Sequence, residues 1–360
     1  MKHVGIMTMH RVRNYGSFLQ AYALKRLLEM QGNTVSFVDI QTKPAEHSAD
    51  RTLKKLRRVD RYLIKRLRFR KLRKASHKMF QQVQAQYLGI LPNHAGWDSC
   101  DAVVIGSDEI FNCEHKGAFP ITSERFGYIP DVPRTISYAA SCGYTGAGSV
   151  VESERSIIAK GIQALKSISV RDENTAEFVA SMGGKNVRRH LDPVLVYSFS
   201  QELAEVNDSC LPHFPYMIVY AYHDRIHDPA EIAAICSYAR AHRLKTVAIG
   251  GMQPWCDKYV TPTPFEVLSW FRSAACVVTD TFHGTIISAK FHKPFAVLVR
   301  DSNANKLEDL LWRLSIQSHK ASWPEEIAII LDSKQDWKSF ERLIAAEAVR
   351  TTEYLSSALM

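Results

Sequence analysis

Several apolar runs in this 360-residue chain end on side chains able to bind or move charge. His283 follows the run Cys276–Thr279, with Asp280 or Thr281 as the cap of a new helix and Gly284 behind it. In the first turn of a helix an imidazolium is disfavoured by the dipole, and a bound phosphate reverses that preference. His283 is therefore placed to take up a proton when an anionic ligand arrives and to release it afterwards. Arg171 closes the run 168–170. Its fork suits phosphate or carboxylate, and equally an ion pair with Asp172, Glu173 or Asp192. Lys306, beyond the run 295–299, either faces the same helix mouth or stands exposed on a helix. The turn His10 to Ser17, holding Asn14 and Gly16, is basic and enters a helix whose first amides could hold an anion. A plain strand-to-helix turn accounts for it as well, and it is not a GxGxxG loop. Ser107, Asp108, Phe111 and Asn112 set polar and aromatic groups at a further strand end, where a capped turn serves Asp108 equally.

The elements that must hold these groups alternate. Apolar runs at 3–9, 34–40, 102–106, 135–141 and 168–170 read as buried strands. Helices are expected over 15–31, where Phe18, Ala21, Leu24 and Leu28 share a face before Gly32 and Asn33, near 151–165, and again before Gly183 and Gly184. An irregular stretch, 197–214, contains Pro212. After it the pattern restarts, with strands at 217–221, 246–249, 276–279 and 295–299 and helices near 228–242, 264–274, 282–292 and 303–314. Such alternation is the mark of parallel sheets covered on both faces. The expected fold is α/β, two Rossmann-like domains facing a cleft: 1–196, with a basic helical insertion at about 45–95, and 215–330, which carries His283-Gly284. A final helix over 331–360 packs on either domain. In such sheets ligands sit at the carboxyl ends of the strands, where the chemical groups above fall.

The net charge of +9 is not spread along the chain. Residues 51–74 carry 13 Lys or Arg against Asp60 alone, a surplus of 12, which leaves 9 − 12 = −3 for the rest. Leu53, Leu56, Leu63 and Leu67 recur there near helical spacing, so the segment reads as an amphipathic basic helix. A solvated helix face explains it, as does a landing strip for an anionic glycan, a lipid-linked acceptor or an anionic membrane surface. No zinc-finger, helix-turn-helix or RNP-like signature accompanies the charge, which argues against nucleic acid as partner. No run approaches the length of a spanning helix, and the apolar opening is cut by His10, Arg11 and Arg13, so neither a signal peptide nor an anchor is expected. Seven cysteines without a CxxC pair read as reduced thiols of a cytoplasmic protein, and no spacing suits a metal.

Six ordered blocks then carry a resemblance: GIMTMHRVRNYGSFLQAYAL from residue 5, VVIGSDEIFN, ISYAASCG, ISVRDENTAEFV, LDPVL, and VVTDTFHGTIISAKFHKPFAVL ending at 298. The chain resembles the polysaccharide pyruvyl transferase family over all but the insertion and the C-terminal tail. That resemblance implies a GT-B-like fold and transfer of pyruvate from phosphoenolpyruvate onto two hydroxyls of a sugar as a ketal. It implies no metal and no cofactor beyond the donor substrate. It also implies Arg171 and Lys306 as donor-gripping residues and His283 as the acid/base, the three groups singled out above on physical grounds. Asn14, Gly16 and Gly284 are assigned to the donor side, and Ser107, Asp108, Phe111, Asn112 and Asp280 to the acceptor or the cleft. Many relatives have Gln and Trp where this chain has Glu109 and Phe111, so a different acceptor is expected, since Trp is the better sugar platform. Two other readings stand beside it: a nucleotide-sugar glycosyltransferase on the same fold, and a non-catalytic glycan- or membrane-surface-binding protein.

Overall fold

The computed structural model describes residues 1–40, 63–90, 96–114, 119–207, 209 and 211–360, with backbone only over 63–70. Leu53, Leu56 and most of the basic run lie outside the described residues. The first sheet has four parallel strands, β1 (His3–Met7), β2 (Thr34–Phe37), β3 (Ala102–Ile105) and β4 (Thr135–Ser137), in the order β2-β1-β3-β4. A parallel pair, β5 (Ser169–Val170) and β6 (Arg188–Arg189), continues it through the bridges Ile136 to Ser167 and Ala140 to Val170. Every residue of β3 is buried, as expected for a strand covered on both faces. The strand expected to run to 141 stops at Ser137, because Ala139 turns into the left-handed region at φ 44°.

The second sheet is also parallel: β7 (Tyr216–Ala221), β8 (Lys245–Gly250), β9 (Lys258–Tyr259), β10 (Cys276–Thr279), β11 (Phe295–Leu298) and β12 (Lys320–Ala321), in the order β12-β11-β10-β7-β8-β9. Its helices begin on strong caps. Thr263 and Glu266 form a reciprocal capping box before the helix Pro264–Ser273, and Asp228 caps Pro229–Ala241 with proline in the first turn.

The apolar interior runs from one sheet to the other. The helix Tyr15–Glu29 packs on the helix Pro264–Ser273, with Phe18 and Tyr22 edge-on to Phe265 at 5.7 and 5.0 Å. The C-terminal half of the helix Leu63–Leu88 joins this seam. Phe80, Val83 and Leu88 are buried, and Tyr87 meets Phe265 edge-on at 4.9 Å. The final helix, Trp337–Leu359, serves both units. Tyr354 Oη donates to the Ser137 carbonyl at 2.7 Å in the first. At its other end Trp337 stacks on His292 and His319 of the second, centroids 5.0 and 5.8 Å apart. Among the described residues no helix is long and apolar enough to cross a membrane.

Candidate active site

The carboxyl ends of both sheets open on one cavity of about 610 Å³. Its wall takes residues from the loops after β1, β3, β5, β7, β8, β10 and β11, the position where such sheets hold ligands. Two helix N-termini converge there, those of Tyr15–Glu29 and Phe282–Lys290, and each brings amides and a positive dipole end.

His283 lies at the meeting point. Its helix starts at Thr281, whose hydroxyl accepts from the Gly284 amide at 2.9 Å, so Thr281 rather than Asp280 is the cap. The ring passes directly over Gly16, where a Cβ would overlap it. The side chain is 12% exposed, and its Nε2, 3.7 Å from Asp192 Oδ2, has no hydrogen-bond partner among the described residues. Burial is the largest influence on the imidazole and pushes its pKa below the ordinary value. Asp192 and Asp108 pull the other way, while Arg171 and Lys306 add to the lowering. The lowered pKa favours the neutral imidazole, and its Nε2 is left without a hydrogen-bond partner among the described residues.

Arg171 is nearly wholly buried, over the Phe282 ring at 4.0 Å, and donates to Asp192 Oδ2 at 3.0 Å. Asp108 Oδ1 is 3.7 Å away. Of the three carboxylates open to Arg171 in the sequence, Asp192 is the one that pairs with it. Asp172 instead caps the helix Glu173–Ser181, and Glu173 pairs with Arg189. Asp192 is fully buried and accepts from the Val194 amide at 3.1 Å, so one carboxylate fixes a helix start, holds Arg171 and faces His283. Arg171 Nε has no partner among the described residues. Lys306 pairs with Glu109 across the domain boundary, and Asn112 Nδ2 donates to the other oxygen of Glu109 at 2.7 Å.

The structure brings Arg171, His283, Lys306, Asn14, Gly16 and Asp108 to the cavity wall. Asn14 accepts from the Ser17 amide at 2.7 Å as helix cap, and Asp108, with φ 65°, accepts from Ser17 Oγ at 2.9 Å. The other expected residues lie behind the wall. Ser107 is buried and donates to Gln20 at 2.7 Å. Phe111 is buried and stacks on Phe126 at 5.4 Å, out of reach of a sugar in the cleft. Asn112 acts on the cleft only through Glu109. Asp280 is buried beside Arg225, 2.9 Å from its Nε, and burial raises its pKa to about 6. Gly284 lets its helix approach Thr279, Thr281 and Tyr220 closely, without facing the cavity.

The sequence reading missed the rest of the wall. Arg73, Ser76, His77 and Phe80, spaced as one face of the helix Leu63–Leu88, line it together with Tyr259. The spacing of Phe80, Val83, Tyr87 and Leu88 was a legible signal that this helix is packed rather than solvated. Tyr222 and Arg225, after β7, line the cavity as well. Among the described residues no three His, Cys, Asp or Glu side chains are gathered as a metal-holding group.

The sequence profile of a family described as polysaccharide pyruvyl transferase matches residues 14–302. No curated protein shows significant sequence similarity. Among solved structures, a UDP-GlcNAc 2-epimerase from Methanocaldococcus jannaschii superimposes with a TM-score of 0.55 at 12% identity, covering 99% of this chain and 100% of that one. The UDP-GlcNAc 2-epimerase from Neisseria meningitidis, bound to UDP-GlcNAc, gives a TM-score of 0.53 at 10% identity, covering 100% and 99%. At these identities the likeness is one of fold, and the fold is GT-B-like, two parallel α/β units facing a cleft.

Proposed function

The chain belongs to the polysaccharide pyruvyl transferase family, and on that premise we propose that it moves pyruvate from phosphoenolpyruvate onto two hydroxyls of a sugar as a ketal. The sugar is part of a cell-surface polysaccharide or its precursor. The observation that carries this reading is the convergence of Arg171, His283 and Lys306, from three separate segments of the chain, on one cavity at two helix N-termini.

The chemistry follows from the residues. Phosphoenolpyruvate is a carboxylate and a phosphate on an enol, and Arg171, Lys306 and the helix amides offer opposite charge at fixed positions. To bind, the donor displaces Glu109 from Lys306, and its charge favours protonation of His283. His283 gives that proton to the enol CH₂, which becomes CH₃ as a sugar oxygen bonds to the adjacent carbon. The attacking hydroxyl's proton returns to the imidazole. The C–O bond to phosphate then breaks, the second hydroxyl bonds to the same carbon, and its proton leaves with the phosphate. Atoms and charge balance: one hydroxyl proton ends in the methyl group and the other on phosphate. Asp192, against both Arg171 and His283, orients the pair. The free thiols suit a cytoplasmic setting for the reaction.

Thermal-shift titration with phosphoenolpyruvate against uridine and guanosine diphosphates tests the donor, since a ligand of the native state raises its stability by mass action. Phosphoenolpyruvate should stabilise the protein, and less so in Lys306→Met. Stabilisation by a nucleotide alone would replace this reading with a nucleotide-sugar glycosyltransferase. His283→Ala should fold normally, retain much of the donor affinity, and lose turnover by about 10²–10⁴-fold, the usual contribution of a positioned acid/base.

A further inference from the structure

The cations of the cleft fall into two groups. At the His283 end every one is matched: Arg171 with Asp192 and Lys306 with Glu109. Toward the mouth, the Arg13 and Arg73 cations and the His77 imidazole line the same cavity, and among the described residues none of them has an acidic partner. They lie close enough to act on one another. Burial first, then the Arg13 and Arg73 charges, lower the pKa of the His77 imidazole, and the Arg73 charge also reaches Tyr259 of the second sheet.

These are not loose surface charges on a solvated arm. One turn beyond them the helix is anchored, with Phe80 against Tyr15 at 5.2 Å and Gln84 donating to the His10 carbonyl at 2.7 Å. Arg73, Ser76, His77 and Phe80 form a single stripe lining the cavity, and Arg13, in the turn after β1, lines it too. Two like charges without counter-charge repel each other and hold the imidazole beside them toward its neutral form, and an anion relieves both effects.

We propose that Arg13, Arg73 and His77 form a second anion subsite of the cleft, which holds a phosphate or diphosphate joined to the acceptor sugar. The assignment to the acceptor rests on the pyruvyl-transfer reading, in which the donor's charges are met at Arg171 and Lys306. Ser76 adds a hydroxyl donor to the anion, and Phe80 and Tyr259 flank it with apolar surface suited to the sugar that follows. The acceptor is then a sugar phosphate or sugar diphosphate rather than a neutral glycan end.

Inorganic pyrophosphate is the probe, titrated calorimetrically into the full chain saturated with phosphoenolpyruvate, so that the Arg171 end is already filled. Arg13→Ala/Arg73→Ala, whose side chains are exposed, should weaken pyrophosphate about tenfold or more while phosphoenolpyruvate affinity stays within about twofold. Lys306→Met should do the reverse. Unchanged pyrophosphate affinity in the double variant overturns the subsite. Loss of phosphoenolpyruvate affinity in parallel also overturns it, because the cations would then belong to the donor. Wild-type protein that ignores phosphoenolpyruvate, yet binds pyrophosphate in an Arg13- and Arg73-dependent way, removes the pyruvyl-donor reading and leaves the anion site standing.

Discussion

The inner end of the cleft and its mouth use the same residue types in opposite ways. Inside, Arg171 and Asp192 are buried against each other, and His283 is packed onto Gly16 with an unused nitrogen. At the mouth, Arg13 and Arg73 are exposed and unmatched by any described acid. Burial explains the contrast. A charge removed from water must be paired, so the inner cations arrive with carboxylates that fix their direction, whereas solvated cations can stay unpaired until an anion binds. The inner end is preorganised for chemistry, and the mouth holds spare charge for capture.

Breaking the inner pair should have the largest effect. Asp192→Ala strands the Arg171 charge and removes a helix cap, for an expected loss of about 3–5 kcal/mol by chemical denaturation. A loss under about 1 kcal/mol would mean that Arg171 is solvated and that the two ends do not differ. Next comes Gly16→Ala. Its Cβ overlaps the His283 ring, and displacing a reacting group by about 1 Å costs on the order of 10²-fold in kcat. Gly146→Ala, with open space around the new methyl, is the silent control. Equal activity of the two variants would show that the position of the imidazole does not matter.

Two smaller effects sharpen the comparison. Glu109→Gln leaves the Asn112 contact possible but frees Lys306 of its counter-charge, so phosphoenolpyruvate should bind about two- to fivefold more tightly, the scale of a partly exposed ion pair. Weaker binding would place Glu109 on the ligand's side. The smallest signal is protonic. The His283 pKa lies below its ordinary value, chiefly through burial, and an anion bound beside it should raise it. Binding near pH 7 should therefore take up a fraction of a proton, seen as a dependence of binding heat on buffer ionisation enthalpy, and His283→Ala should remove it. No uptake in the wild type would mean the imidazole stays neutral beside the donor.

Much of this was legible in the chain. Strand and helix alternation gave the longer strands of both sheets, because buried parallel strands read as short apolar runs and their helices as 3.6-periodic stripes, but not the two-residue strands β6, β9 and β12, which are too short to show a pattern. Arg171, His283 and Lys306 were legible as members of one cavity wall because each follows an apolar run, and in this fold class the ends of such runs meet. The errors came where a neighbour in sequence is not a neighbour in space. Ser107, Phe111 and Asn112 flank Asp108, yet the turn of the chain there sends them into the interior, toward Gln20, Phe126 and Glu109. The insertion misled in the other sense. Its charge drew attention to 51–74, while its packed part, from Phe80 to Leu88, forms the seam between the units.

By itself the sequence determined the class of fold, the family, and which side chains carry charge at strand ends, since these depend on periodicity and residue type along the chain. Only the tertiary structure decided which charges meet. It joined Arg171 to Asp192 across 21 residues and Lys306 to Glu109 across 197, and it set the His283 ring on Gly16. It also turned Arg73 and His77 toward Arg13. Pairing is a matter of distance and burial between remote segments, and no local pattern along the chain encodes that.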